Sequence, residues 1–147
     1  MDSTVRQILK EKGDVVWSVA PTTTVFETLH LLADKDIGAV VVMDKDKLVG
    51  IFSERDYVRQ AIRDVETIKH RPVADFMTRD VVTITPEETV QDCMLYMTAH
   101  RIRHLPVVEA EKLVGIVTIG DVVKTVISDQ SQLLEEMENF ISGRYGR

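Results

Sequence analysis

The sequence predicts an α/β fold of the α+β kind: a βαββα unit used twice, packed sheet to sheet about a pseudo-two-fold axis, with an amphipathic C-terminal helix. Three observations carry this. First, sliding the chain on itself by 65 residues gives 12 identities in 39 gapless pairs, starting from residues 21–59. Self-similarity at a fixed period marks a repeat architecture. Second, apolar runs without alternation, such as Gly38-Ala39-Val40-Val41-Val42, ask for strands covered on both faces. Third, one copy of about 55 residues would bury only a marginal core, whereas two packed together bury a sufficient one.

The first copy spans 5–64, the second 73–128, and 129–147 forms a C-terminal helix and tail, with His70-Arg71-Pro72 as the join. Each copy opens on a short apolar strand, 15–19 and 81–85, interrupted by Pro21 and Pro86. A helix follows. Thr24 with Glu27 and Thr89 with Asp92 match a capping box, a hydroxyl with an acid three residues on. Apolar residues then recur at helical spacing: Val25, Leu29, Leu32 in one copy and Val90, Cys93, Met94, Met97 in the other. Two β-rich runs come next, 38–43 with 48–52 and 104–108 with 113–117, joined by polar turns. Second helices are expected over 54–63 and 119–127. The last helix, 131–142, carries Leu133, Leu134, Met137, Phe140 and Ile141 as an apolar stripe, with Gly143 as its stop. That stripe packs either on its own body or on a second copy, and a dimer is expected.

Composition removes several function classes. With 147 residues, 18 Lys+Arg and 24 Asp+Glu, the net charge is −6. An acidic chain is a poor partner for a nucleic-acid backbone. Cys93 is the one cysteine, so a disulfide framework and a cysteine zinc site are excluded. No apolar run is long enough for a membrane helix, and the N-terminus lacks the pattern of a signal peptide. A soluble, cytoplasmic protein is expected.

Two constellations could carry chemistry. Each copy runs from its second hairpin strand into a helix through Ser/Thr-x-x-Asp: Ser53-Glu54-Arg55-Asp56 and Thr118-Ile119-Gly120-Asp121. A helix N-terminus suits an anion, and the carboxylate one turn in can accept both hydroxyl protons of a ribose. The same pattern also closes a capping box, and both roles can hold together. Gly120, costly in a first helical turn, leaves room close to the backbone. The second constellation is His100-Arg101-Ile102-Arg103-His104. It offers several donors to phosphate oxygens, or places cations at a helix C-terminus. Copy one has Gly38 and Ala39 where copy two has Arg103 and His104, so one cleft should be the more basic. Cys93 and the inner methionines read as core, and Trp17 as core or rim. No nucleotide-loop, metalloprotease or serine-hydrolase motif is present, and no acid–base pair is evident, so an enzyme is not expected.

In order and repetition these residues resemble a stand-alone tandem pair of CBS domains, also called a Bateman module. The paired Gly-h-h-Ser/Thr-x-x-Asp stretches (h apolar), Met77-Thr78, Val82-Thr83-Ile84-Thr85-Pro86 and His104-Leu105-Pro106-Val107-Val108 carry the resemblance. It implies two clefts binding adenosine nucleotides or related ligands (AMP, ADP, ATP, NAD-type dinucleotides, S-adenosylmethionine), and association of two pairs into a disk. It implies ribose contacts from Thr118 and Asp121 in one cleft and Ser53 and Asp56 in the other. Val82, Thr83 and Ile84 would lie near the base. Arg103 and His104 would face phosphate, and Arg55 the phosphate of the neighbouring cleft. Copy one departs from the pattern at Gly38-Ala39 and carries extra residues near Lys12-Gly13-Asp14, ahead of its first strand, so the clefts should differ in occupancy or ligand. The expected function is a ligand-sensing regulatory module. The alternative is an adaptor with vestigial clefts that acts through protein contacts.

Overall fold

The computed structural model describes residues 3–142. The elements follow in chain order: α1 (Val5–Lys12), β1 (Ser18–Val19), α2 (Val25–Lys35), β2 (Ala39–Asp44), β3 (Lys47–Ser53), α3 (Glu54–Ala61), α4 (Val65–Ile68), a 3-10 turn (Val73–Asp75), α5 (Val90–His100), β4 (His104–Glu109), β5 (Lys112–Thr118) and α6 (Ile119–Ile141). The two hairpins and the helices after β1, β3 and β5 stand where the repeat predicts them. So does α5.

Local chemistry explains the helix starts. Full capping boxes form at Ser53 with Asp56, Thr89 with Asp92 and Thr118 with Asp121. At α2 only the hydroxyl half forms, Thr24 accepting the Glu27 N–H at 3.1 Å. Helices α2 and α5 end alike. Their C-caps, Asp36 (φ 52°) and Arg101 (φ 53°), are both left-handed and stand at equivalent repeat positions. This left-handed turn lets the cap N–H bond back to the last carbonyls.

The sheets differ in one respect. In repeat one, β1 pairs in parallel with β2, Ser18 opposite Val41 and Val19 opposite Val42, and β2 pairs antiparallel with β3. In repeat two, β4 and β5 form the same hairpin with the same register shift, but the strand expected over 81–85 shrinks to a single bridge, Ile84 to Val107. The cause is Pro106. It stands where Val41 stands in repeat one and has no N–H to give, so the ladder stops after one rung. The first strand of repeat one is also shorter than expected, since Val15 is 69% exposed. In β2, by contrast, Ala39 to Val42 are all buried, so both faces are covered as the unalternating run requires.

Two cores lie under the two hairpins, and each is completed by the opening residues of the other repeat. Val5 and Ile8 of α1 are buried with Ile84, Val90, Leu105 and Val117 of repeat two. Val73 and Met77, from the start of repeat two, are buried with Val25, Val40 and Phe52 of repeat one. Main-chain bonds repeat the exchange. Val5 N–H donates to Glu88 O and Arg6 N–H to Pro86 O. Val73 N–H donates to Thr23 O and Ala74 N–H to Pro21 O, at the equivalent sites. Two glycines permit the close approach: a Cβ on Gly115 would lie 2.6 Å from Leu9 Cδ2, and one on Gly50 2.4 Å from Met77 Sδ. Strands β3 and β5 meet between the repeats. This is the pseudo-two-fold arrangement.

Sequence signals place helices over 119–127 and 131–142, but α6 is one continuous helix of 23 residues. Residues 128–130 contain neither Gly nor Pro, so nothing breaks the ladder between them. Gly143 lies outside the described residues. Among the described residues no helix is long and apolar enough to cross a membrane.

Candidate functional site

At the end of β5 the chain turns into α6 through Thr118. Its side chain accepts the Asp121 N–H at 3.2 Å, and its own N–H donates to Asp121 Oδ2 at 2.9 Å. The carboxylate is thus fixed at the helix mouth. Lys12, the last residue of α1, reaches the same oxygen: Nζ donates to Asp121 Oδ2 at 2.6 Å and to Ile116 O at 2.8 Å. Burial pushes the Asp121 carboxyl upward, but Lys12 and the Thr118 N–H outweigh it and hold the group below its ordinary 3.8. It is ionised at neutral pH. A Cβ on Gly120 would meet nothing nearer than Thr118 Oγ1 at 3.6 Å, so the space over this turn is open.

His104 begins β4 beside this carboxylate. Its ring lies across the repeat boundary against Gly38, where a Cβ would stand 3.3 Å from His104 Cε1. The divergence between the copies is therefore complementary, a large ring in one filling the space a missing side chain leaves in the other. Burial first, then the charges of Lys12 and Arg103, hold the imidazole below its ordinary 6.5. A histidine harder to protonate folded than unfolded gives stability that is complete above the unfolded pKa. That stability declines as pH falls toward the folded value. Replacing His104 by Gln should therefore flatten the dependence of the urea midpoint on pH between about pH 7 and 5. Identical slopes for the two proteins would show that the ring protonates freely.

Arg103 is exposed, and its carbonyl accepts the Ile119 N–H at 2.9 Å. Arg55 of α3 crosses to repeat two, donating from Nη1 to Arg101 O at 3.2 Å. Together Arg55, Arg101 and Arg103 rim a groove of about 600 Å³ between α5 and α6, floored by Met94, Met97, Ile119 and Val122. Thr83 is exposed and Val82 half-buried. Ile84 is 1% exposed, with N–H and C=O both spent on β4, so its side chain is committed to the core. In repeat one, Ser53 N–H donates to Asp56 Oδ2 at 2.9 Å, and Asp56 N–H to Ser53 Oγ at 3.1 Å. No cation pairs with Asp56 among the described residues.

Cys93 is fully buried, and burial first pushes its thiol up to about 11, so it is no nucleophile. Trp17 is partly exposed, with Lys35 Nζ 4.3 Å from its ring centre. Among the described residues no three His, Cys, Asp or Glu side chains cluster to hold a metal ion. Lys12 is the site residue that sequence reasoning missed. Its signal is slight: a lysine ending a short amphipathic run before Gly13, within the residues that copy one has in excess. Of those residues, Lys12 reaches the Asp121 carboxylate of copy two, while Asp14 lies with Val16, Ser18 and Met43 beside the first strand of copy one.

Comparison with known proteins agrees with this architecture. The CBS domain family matches residues 4–63 and 73–128. The mitochondrial CBS domain-containing protein CBSX3 of Arabidopsis thaliana is 35% identical over 97% of this chain and 74% of its own length. The solved structure of a protein with CBS domains from Burkholderia ambifaria, described as a putative signal-transduction protein, is 41% identical. It superposes with a TM-score of 0.82 over 87% of this chain and 96% of that one. A structure of CBSX2 in complex with AMP is 27% identical, with a TM-score of 0.72 over 87% of this chain and 98% of that one. Matched on both halves, and folded as two hairpin repeats that complete each other's cores, this chain belongs to the CBS-domain family as a tandem pair.

Proposed function

We propose that the chain is a regulatory module that senses an adenosine nucleotide, of the AMP, ADP, ATP or NAD type, in the cleft built on Thr118 and Asp121. The observation that carries this is the Asp121 carboxylate, ionised and fixed at a helix N-terminus with Lys12 bonded to it and His104 beside it, and with Arg103 next to that histidine. The carboxylate suits a ribose diol and the surrounding donors suit phosphate. The AMP complex of CBSX2 supports the ligand class. The Asp56 cleft, without a cation, is the weaker site or takes a different ligand. Binding shifts the chain between states only by its differential affinity for them, and the output is a change in repeat geometry or in association.

The test is a thermal-shift panel of AMP, ADP, ATP, NAD, NADH and S-adenosylmethionine, with Asp56→Ala and Asp121→Ala alongside. A ligand at 100 times its Kd adds about 2.7 kcal/mol, which for a chain of this size is roughly 5–10 °C. No shift from any of the six, on protein free of retained nucleotide, would move the reading to an adaptor.

We also propose a cytoplasmic homodimer formed through the exposed stripe on α6. Leu134 is 61% exposed, Phe140 74% and Ile141 80%, and apolar faces of this kind are covered by partners. Leu134→Glu should weaken association by about tenfold or more, since a charge buried at an interface is costly. Sedimentation velocity across a concentration series reads the change. An unchanged profile would place the interface elsewhere and favour an adaptor whose stripe meets a different protein.

A further inference from the structure

We propose that Lys12 is a latch on the Asp121 cleft that a ligand's phosphate takes over, so that this cleft selects phosphorylated adenosine ligands over the nucleoside. The inference rests on the ribose reading of Asp121 given above. Asp121 Oδ2 already accepts two donors, the Thr118 N–H and Lys12 Nζ. A ribose whose two hydroxyls bind both carboxylate oxygens must take the place of Lys12 there. The pair is partly shielded, with side-chain exposures of 28% for Lys12 and 19% for Asp121. Its disruption is therefore felt more than that of a surface pair.

Lys12 can leave without unfolding anything. It is the last residue of α1, followed by Gly13 at φ 93° with open space around it, while Val5 and Ile8 anchor the helix in the core. An ammonium has three donors and no fixed plane, so Nζ can swing from the carboxylate to a nearby anion. A phosphate supplies one and restores what the ribose removed. A neutral nucleoside supplies none.

Repeat one lacks this device. The carbonyl equivalent to Ile116 O is Ile51 O, and it accepts the main-chain N–H of Thr78 at 2.8 Å. An amide held in a ladder cannot be handed to a ligand, and it carries no charge. The latch therefore acts on one cleft of the two.

Titration calorimetry of AMP and adenosine tests this on the full chain in an Asp56→Ala background, with Lys12→Met, Lys12→Arg and Asp121→Ala added in turn. The Asp56→Ala protein should bind AMP at least about tenfold tighter than adenosine. Lys12→Met should move the two affinities in opposite directions, AMP weaker and adenosine tighter, bringing the ratio toward one. Lys12→Arg should keep the preference for AMP, which separates the charge from any effect on folding. If Lys12→Met leaves the ratio unchanged while Asp121→Ala abolishes AMP binding, the latch is wrong and the ribose reading stands. If Lys12→Met alone permits binding, Lys12 is a plug and the transfer to phosphate is wrong. If AMP binding survives Asp121→Ala, or neither ligand binds any variant, the ribose reading fails and takes the latch with it.

Discussion

Phe52→Ala should cost about 3–5 kcal/mol of stability, the range for deleting a large aromatic side chain from a packed core. Phe52 is fully buried on β3, opposite Val40, among Val25, Val42, Val73 and Met77. The neighbours cannot collapse into the void easily. Val40 and Val42 are held in a hairpin, and Met77 is pinned over Gly50 by the exchange of segments between repeats. Against a typical total of 5–15 kcal/mol this is a large fraction. Urea unfolding at fixed protein concentration reads it, since association shifts apparent stability. Phe52→Val installs the residue that repeat two carries at the equivalent Val117 and should cost less than Ala. A loss below about 1 kcal/mol for Phe52→Ala would mean that repeat one relaxes around the deletion, contrary to rigid packing. The effect should extend to function, because Ser53, the next residue, caps α3 and sets Asp56.

Asp121→Ala should weaken AMP binding at least about tenfold. Hydrogen bonds to a charged acceptor are worth about 1.5–3 kcal/mol each, and a ribose diol makes two, which alone would give a larger loss. The ion pair with Lys12 in the free protein reduces the net gain, because the ligand must displace one favourable contact to make its own. The change also removes the acid half of the α6 capping box, a smaller effect of about 0.3–1 kcal/mol for an acid in a first turn. The melting temperature without ligand separates that loss from the loss of binding. A variant that folds normally and binds AMP as tightly as wild type would remove Asp121 from the ribose site.

The fold was legible wherever its cause is local. The duplicated Lys-Leu-Val-Gly-Ile runs locate both hairpins, and each capping hydroxyl lies three residues from its partner. Thr118, Asp121, Ser53 and Asp56 stand at helix mouths because strand, cap and acid are consecutive in the chain. The same locality also misled. Residues 81–85 look like a strand, yet Pro106, more than twenty positions away, withholds the N–H that a second rung needs. Leu133, Leu134 and Phe140 read correctly as an apolar stripe, but their helix is continuous with the one that starts at Thr118.

By itself the sequence determined the doubling of the unit, the order βαββα, the helix caps and the two carboxylates one turn into their helices. Each of these is written within a few residues, where backbone geometry and side-chain spacing act directly. Tertiary structure alone decided that α1 completes the core of the second repeat, that His104 rests on Gly38, and that Lys12 closes on Asp121. Lys12 and Asp121 are 109 positions apart. A contact at that separation leaves no periodicity to read, because it follows from how two whole repeats pack and not from the spacing of residues along either one.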